Sequence, residues 1–403
     1  ADLSSAPPAP PPADPPPAAV AQPPNILVYL IDTLRADHLG CYGYPKPTSP
    51  AIDAFAERAV RFREARANAS WTRPAVATIL TGLYPITHQT QRTQDRLSDR
   101  FVTVAERLSA AGWQTAMVTT NANVARKFGF GQGFDHFDYF AERMRGPETH
   151  VRSSVAQRAA LDWLDRRDPS RPFFVFVHTA DPHDPYTPAP EFRRRFAADV
   201  EDRRIGSRTS MAQLESLPEA QASAQRRALI SLYDGEVAQN DESFGKLLAE
   251  LARRGLDRTT AVLLTSDHGE EFFEHGGWKH GQTLYEEQLR IPLVLSLPGG
   301  RGAGTVVADP VEQIDLAPTL LDLARLPIPR ELPGRSLVPH VDGRSPARPG
   351  HVFYAWLETH GRALAAATRS DWKLIENRAA RDPLVKAPFE LYSLGSDAEE
   401  RHD

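Results

Sequence analysis

Asp267 and His268 stand side by side after the run Ala261-Val262-Leu263-Leu264-Thr265-Ser266 and just ahead of Gly269-Glu270. A carboxylate and a neutral imidazole are both good ligands for zinc, manganese and related divalent ions. The run before them is apolar and β-branched, which predicts a buried strand. Open α/β sheets hold their ligands beyond the carboxyl ends of such strands. Taken alone, the pair has a plainer reading as a strand-to-turn junction with a capping Asp. A second run of the same kind, Asn25-Ile26-Leu27-Val28-Tyr29-Leu30-Ile31, ends in Asp32 and continues through Thr33-Leu34-Arg35-Ala36-Asp37-His38. Two strands far apart in sequence thus each bring a carboxylate to one sheet edge. The third piece is Ser70-Trp71-Thr72-Arg73-Pro74-Ala75-Val76-Ala77-Thr78-Ile79-Leu80-Thr81-Gly82. Pro74 suits the first turn of a helix and Gly82 its end. Thr72 then lies at or just before a helix N-terminus, where backbone N–H groups and the dipole favour an anion. It could equally be a simple N-cap.

Five segments in this order resemble the sulfatase-like branch of the alkaline phosphatase superfamily. They are Asn25 to Gly43, Trp71 to Pro85, His178-Thr179-Ala180-Asp181-Pro182-His183-Asp184-Pro185-Tyr186, Ser266 to Glu270, and Gly281-Gln282-Thr283-Leu284-Tyr285-Glu286-Glu287. The tail around Glu390-Leu391-Tyr392 fits as well. The resemblance implies a metal-dependent hydrolase of sulfate or phosphate esters that works through a covalent intermediate at the start of the Thr72 helix. The departures from the pattern are informative. Sulfatases of this type carry Cys or Ser, followed by x-Pro-x-Arg, and convert that residue to formylglycine. Here the position holds Thr72, and Val76 stands where the arginine would be. Thr72 resembles instead the nucleophile of phosphodiesterase and phosphoalcohol-transferase members. The usual paired aspartates after the first strand are Asp32-Thr33 here, and the mid-chain lysine of many sulfatases is not evident. Asn121 and Asn123 follow the strand Thr115 to Thr119, where their amides could contact substrate oxygens. These changes point from a calcium-bound sulfatase towards phosphate chemistry.

A Thr hydroxyl is a poor nucleophile near neutral pH. A divalent ion held by Asp32, Asp267, His268 and the Thr72 oxygen would activate it, as zinc lowers its bound water to a pKa of about 7. The ligand types suit Zn, Mn or Ca. The pattern favours one ion; a second would draw on Asp181, His183 and His280, with Asp32 bridging. The leaving alcohol needs a proton. His280, in the glycine-rich run Glu274 to Gly281, is the first candidate by its place in the family pattern, with Lys279 beside it for substrate contact and His183 as the next acid. His178 and His275 read more readily as structural. The expected function is phosphate-ester hydrolysis, of diesters or monoesters, through Thr72. The alternatives are a sulfatase acting without formylglycine and a phosphoalcohol transferase; a non-catalytic anion- or metal-binding module is the remaining class.

The elements that must position these groups alternate. Strands are expected at Asn25 to Ile31, Thr115 to Thr119, Phe173 to Val177, Thr260 to Ser266 and Ile291 to Leu297. Helices are expected near Pro50 to Val60, Val102 to Ala111, Ser153 to Arg166, Ala222 to Arg254 and Asp315 to Ala324. That alternation predicts an α/β fold, a doubly wound sheet with helices on both faces, plus a small C-terminal antiparallel sheet. The domain expectation is a Pro/Ala-rich tether over residues 1–24, a catalytic α/β domain over 25–345, and a small α+β subdomain over 346–403. Residues 191–227 carry eight Arg against six Asp and Glu. They read as a solvated helical excursion or as a lid over the active edge whose arginines hold an anionic substrate.

At 403 residues and 41% hydrophobic content, the chain can build a large core. Its formal net charge of -5 argues against general nucleic-acid or membrane-surface binding. No run of eighteen apolar residues is present to span a membrane. Cys41, the single cysteine, cannot form an internal disulfide. Ten of the first 24 residues are Pro, a composition that favours extended, solvated chain. A tether beginning at Ala1 fits a mature chain in the bacterial periplasm or cell envelope. The expected partner is a small anionic ester, and the oligomeric state is left open.

Overall fold

A computed structural model describes residues 23–143, 151–211, 219–344, 348, 350–359, 361–379 and 387–403. Apart from Pro23 and Pro24, the expected tether lies outside the described residues. A nine-stranded sheet forms the centre. Strand β1 (Asn25–Ile31) lies between β5 (Phe173–Thr179) and β6 (Thr260–Ser266) and is parallel to both. Beyond β5 come β3 (Gln114–Thr119) and β4 (His136–Tyr139), also parallel. Beyond β6 comes β9 (Arg290–Ser296), which is antiparallel to both β6 and β2 (Val60–Arg66). The two-residue strands β7 (Glu271–Phe272) and β8 (Trp278–Lys279) pair with each other outside this sheet, and the short β10 (Val306–Val307) and β11 (Val311–Glu312) pair with β2. The strand expected near Ile291 is therefore present, but it runs against its neighbours.

The near-continuous apolar run of β1 has a simple cause. Ile26, Val28 and Leu30 enter one core, and Leu27, Tyr29 and Ile31 enter the other. A strand covered on both faces needs apolar residues at every position rather than alternation. The first face is covered by α2 (Thr72–Thr81), α3 (Val104–Ala110) and α8 (Leu316–Leu323). The second is covered by α1 (Pro50–Ala56), α4 (Ser153–Arg166) and the long α6 (Glu219–Arg253). The expected Pro50 to Val60 helix overruns: it stops at Ala56, and Val60 opens β2. Val60 and Phe62 are buried while Arg63 is exposed, the alternation of a strand whose charges hide its period.

A separate antiparallel sheet follows in the order β12 (Phe353–Thr359), β13 (Arg362–Arg369), β14 (Trp372–Asn377) and β15 (Phe389–Ser393). Its inward residues Ala355, Leu357, Leu364, Ala366, Ile375 and Tyr392 join the first core. The described parts of 191–227 include α5 (Pro190–Phe196) and the first residues of α6, with Phe192 buried. Arg208 lies 3.2 Å from Asp184 and Arg226 lies 3.1 Å from Glu274, so this segment is tied to two loops at the active edge. No helix among the described residues is long and apolar enough to cross a membrane.

Candidate active site

Asp32 follows β1, and Asp267 and His268 follow β6, so the parallel pairing of Ile31 with Ser266 carries all three to one edge. The other neighbour of β1 adds a further candidate ligand. Leu30 pairs with His178, which brings that imidazole to the same edge from within β5. Asp32, Thr72, His178, Asp267 and His268 are all buried. His178 Nε2 lies 3.9 Å from Asp32 Oδ2 and 4.0 Å from Asp267 Oδ2. His268 Nε2 lies 3.7 Å from Asp32 Oδ1 and 3.4 Å from Asp267 Oδ2.

The hydrogen bonds orient these groups inward. Asp267 Oδ1 accepts from the backbone N–H of Thr33 at 3.1 Å and of His268 at 2.9 Å, which turns Oδ2 to the cluster. The donor Thr33 holds a left-handed φ of 56°, an uncommon conformation for a β-branched residue and one that collects at functional sites. His268 Nδ1 donates to the Gly269 carbonyl at 2.9 Å, so its Nε2 carries the free lone pair. Asn121 Nδ2 donates to Asp32 Oδ2 and lies 3.5 Å from Thr72 Oγ1.

Asp32, His178 and Asp267 each offer a ligand atom within 4.8 Å of the other two, and Asp32 Oδ1, Asp267 Oδ2 and His178 Nε2 are buried without a hydrogen-bond partner. Buried polar atoms are ordinarily paired, and paired anions require a cation. Burial, and then the neighbouring Asp267 charge, raise the Asp32 pKa well above the carboxylate range. Burial lowers the His178 pKa to about 4, and it also lowers that of His268, so both imidazoles are neutral near pH 7, the form that ligation requires. This donor set of two carboxylates and two imidazoles fits a divalent ion. Asp181, expected to serve a second ion, instead accepts from the Ser153 N–H and the Gln239 amide on the α4 and α6 side.

Thr72 is the first residue of α2; Trp71 occupies the N-cap and makes no side-chain cap bond. The Thr72 hydroxyl is therefore not the cap. It lies 3.4 Å from His268 Nε2, and the first N–H groups of the helix lack intrahelical partners. Gly82 ends α2 at φ 70°. The Asn123 side chain is engaged by Arg73, from which it accepts at 3.2 Å, and the Asn123 backbone N–H donates to Asn121 Oδ1 at 2.6 Å, so it braces Asn121.

His280 and His183 complete the opposite wall. Their rings lie 4.9 Å apart, and the His280 ring lies 4.5 Å from that of His268. His183 Nδ1 donates to the Asp184 carbonyl at 2.6 Å. His280 Nδ1 lies 2.8 Å from Glu270 Oε1, and burial pushes its pKa down to about 4. Lys279 lies 3.3 Å from Asp184 Oδ2. His275, in contrast, is engaged by Glu287 at 2.8 Å and the Glu400 carbonyl at 3.1 Å, which suits the structural reading. Sequence reasoning ranked His178 with it. The signal that separates them is adjacency: the strand ending near His178 is the immediate partner of the one ending in Asp32. A cavity of about 1010 Å³, lined by Asn25, Pro172 and Leu297, opens at the opposite sheet edge, away from these residues.

Residues 24–326 match the family model described as Sulfatase, and residues 273–403 match N-sulphoglucosamine sulphohydrolase, C-terminal. The chain belongs to the sulfatase family, within the alkaline phosphatase superfamily, and is an ester-bond hydrolase. It is 26% identical to N-acetylglucosamine-6-O-sulfatase of Bacteroides thetaiotaomicron, over 80% of this chain and 72% of that one. A structure solved in complex with its substrate D-Glucosamine-2-N, 6-O-disulfate superposes with a TM-score of 0.79 at 22% identity, covering 95% of this chain and 93% of that one. Phosphonate Monoester Hydrolase of Agrobacterium radiobacter superposes with a TM-score of 0.75 at 21% identity, covering 94% and 90%.

Proposed function

We propose that this chain hydrolyses phosphate esters, diesters or monoesters of modest size, through a covalent intermediate on Thr72. One observation carries the reading. A threonine, not a cysteine or serine, stands at the start of α2, with its hydroxyl 3.4 Å from His268 Nε2 beside the buried Asp32 and Asp267 carboxylates. Threonine does not fit the formylglycine conversion, and a hydroxyl can take a phosphoryl group directly.

Asp32, Asp267, His268 and the Thr72 oxygen would hold a divalent ion, with His178 as an added ligand. When bound, the ion supplies Lewis acidity and offsets the two carboxylate charges. Thr72 Oγ1 forms the new bond to phosphorus while the bond to the leaving oxygen breaks. Asn121 Nδ2 and the first N–H groups of α2 donate to the phosphoryl oxygens as charge builds on them. His280 gives a proton to the leaving alcohol, and Lys279 and His183 contact its side of the substrate. In the second half, His280 takes a proton from the water that releases phosphate from Thr72. The His268 lone pair would be committed to the ion, so the Thr72 hydroxyl gives its proton to solvent before the attack. A periplasmic or envelope location belongs to the same proposal, suggested by the Pro/Ala-rich composition of the first 24 residues.

Acid-quenched mass spectrometry during turnover of an aryl phosphodiester is the direct test. It is expected to find a phosphate or phospho-alcohol adduct on Thr72, and Thr72→Ala is expected to lower kcat/KM by about 1000-fold or more. An adduct on another side chain would move the nucleophile. Faster turnover of the matched aryl sulfate would make the chain a sulfatase, and transfer to an added alcohol would make it a transferase.

A further inference from the structure

Glu270 follows the ligand pair in sequence, yet it points away from the cluster. It is fully buried, and each of its oxygens has a defined partner. Oε1 lies 2.8 Å from His280 Nδ1, and Oε2 accepts from the Tyr186 hydroxyl at 2.8 Å. Its backbone carbonyl accepts from Arg35 at 3.0 Å. The backbone N–H of Glu270 donates to the Glu287 carbonyl at 3.0 Å, which fixes the carboxylate's starting point. Tyr186 is itself buried, and its N–H donates to the Gly206 carbonyl at 2.9 Å. Two loops therefore hold the carboxylate, and two further segments hold the backbone that carries it.

A buried carboxylate held this firmly has few uses. It is not a ligand of the candidate metal cluster, whose unpartnered atoms come from Asp32, His178 and Asp267. It does not serve the general packing of β6, because both oxygens face side chains from loops. What it touches is the ring nitrogen of His280 that lies away from the substrate side. An imidazole bound through Nδ1 has its tautomer and ring plane set by that bond, which leaves Nε2 as the working nitrogen. The His280 ring then lies between His268 and His183, at centroid distances of 4.5 and 4.9 Å, where a leaving group would depart.

We propose that Glu270, steadied by Tyr186, is the positioning residue that aims His280 Nε2 at the leaving oxygen. The inference rests on the assignment of His280 as the acid. In the step concerned, the bond from phosphorus to the leaving oxygen breaks with its electron pair remaining on that oxygen. His280 acts in its minor, imidazolium form, whose charge the Glu270 carboxylate offsets: the proton on Nε2 passes to the oxygen, and the Nδ1 proton stays on the now neutral imidazole, bound to Glu270. The carboxylate changes neither its bonds nor its proton count. It acts through His280 and touches no substrate.

The test uses leaving groups of graded acidity on the full-length, metal-loaded enzyme. A poor leaving group such as an alkyl alcohol needs the proton, whereas 4-nitrophenol departs without it. His280→Ala is expected to lower kcat/KM far more for the alkyl ester than for the 4-nitrophenyl ester. Glu270→Gln is expected to repeat that selectivity with an alkyl-ester loss of about 10- to 100-fold, the usual effect of losing a group that orients a working His. Tyr186→Phe, which leaves the carboxylate in place, is expected to show the same pattern more weakly. This second variant keeps the test decisive if Glu270→Gln folds poorly. If Glu270→Gln and Tyr186→Phe slow both esters equally, or neither, while His280→Ala stays selective, the positioning role falls and the acid assignment survives. If His280→Ala itself slows both equally, the acid assignment fails and this inference fails with it.

Discussion

Asp32 and Asp267 confront each other across a gap that water does not reach, and the consequence is measurable without any substrate. Burial, and then Asp267, hold the Asp32 pKa well above 3.8 in the ion-free protein. Above pH 3.8 the folded state therefore keeps a proton that the unfolded state has released, and ion-free stability falls as pH rises towards the folded pKa. Asp32→Asn removes one charge of the pair. The chelated variant is expected to melt no lower than chelated wild type and to lose less stability across that pH window. A divalent ion at 100 times its Kd should stabilise the wild type by about 2.7 kcal/mol and leave the variant nearly unmoved. Thermal melts with chelator, zinc, manganese and calcium measure both effects. An ion-induced shift of wild-type size in the variant would remove Asp32 from the ligand set.

The strands that deliver these residues were legible because each is covered on both faces and so reads as unbroken apolar sequence. Asn25–Ile31 and Thr260–Ser266 have the bounds expected, as does the helix Ser153–Arg166. The start of the Thr72 helix was marked by Pro74 and its end by Gly82. Strand β2 was hidden because three arginines and a glutamate occupy its seven positions. His178 was undervalued because its value comes from strand order, which places β5 rather than β9 beside β1. The bonds from Glu270 to His280 and Tyr186 depend on loop paths and left no periodic trace. Gly269 shows how tightly the tip of β6 is set. A Cβ there would fall 2.1 Å from the Glu287 carbonyl oxygen, at the point where Gly269 and Glu270 donate to the backbone of α7 (Glu286–Leu289). Backbone cannot yield as a flexible side chain does. Gly269→Ala is expected to cost about 3 kcal/mol in urea unfolding and to weaken ion binding by shifting His268. A variant with the wild-type urea midpoint and ion affinity would show that this approach does not aim the ligand.

At the scale of the molecule, the C-terminal sheet is joined to the catalytic half by a buried charge network. Lys373 on β14 is fully buried and lies 3.1 Å from Glu286 and 2.8 Å from Glu400. Arg66 on β2 lies 3.1 Å from Glu286, and the Glu286 N–H donates to Glu400 at 2.6 Å. The Glu400 carbonyl in turn meets His275 at 3.1 Å, in the loop that carries Lys279 and His280. The last residues thus hold the His280 loop from behind. Burial works against the charge on Glu286, but Arg66 and Lys373 together lower its pKa from 4.5 to about 2. A lowered carboxylate contributes stability that is fully present above its unfolded pKa of 4.5 and is lost as pH falls towards about 2. Lys373→Met removes one of the two cations and leaves Glu400 facing Glu286 without it. The variant is expected to lose about 3 kcal/mol at pH 7, the scale of a broken buried pair. It should lose less than wild type on going from pH 4.5 to pH 2.5, because less of the Glu286 depression remains to be titrated away. Urea unfolding at pH 7, 4.5 and 2.5 reads both differences. Parallel acid losses in the two proteins would mean that Arg66 alone holds Glu286, and that the C-terminal sheet is joined by its apolar face rather than by this network.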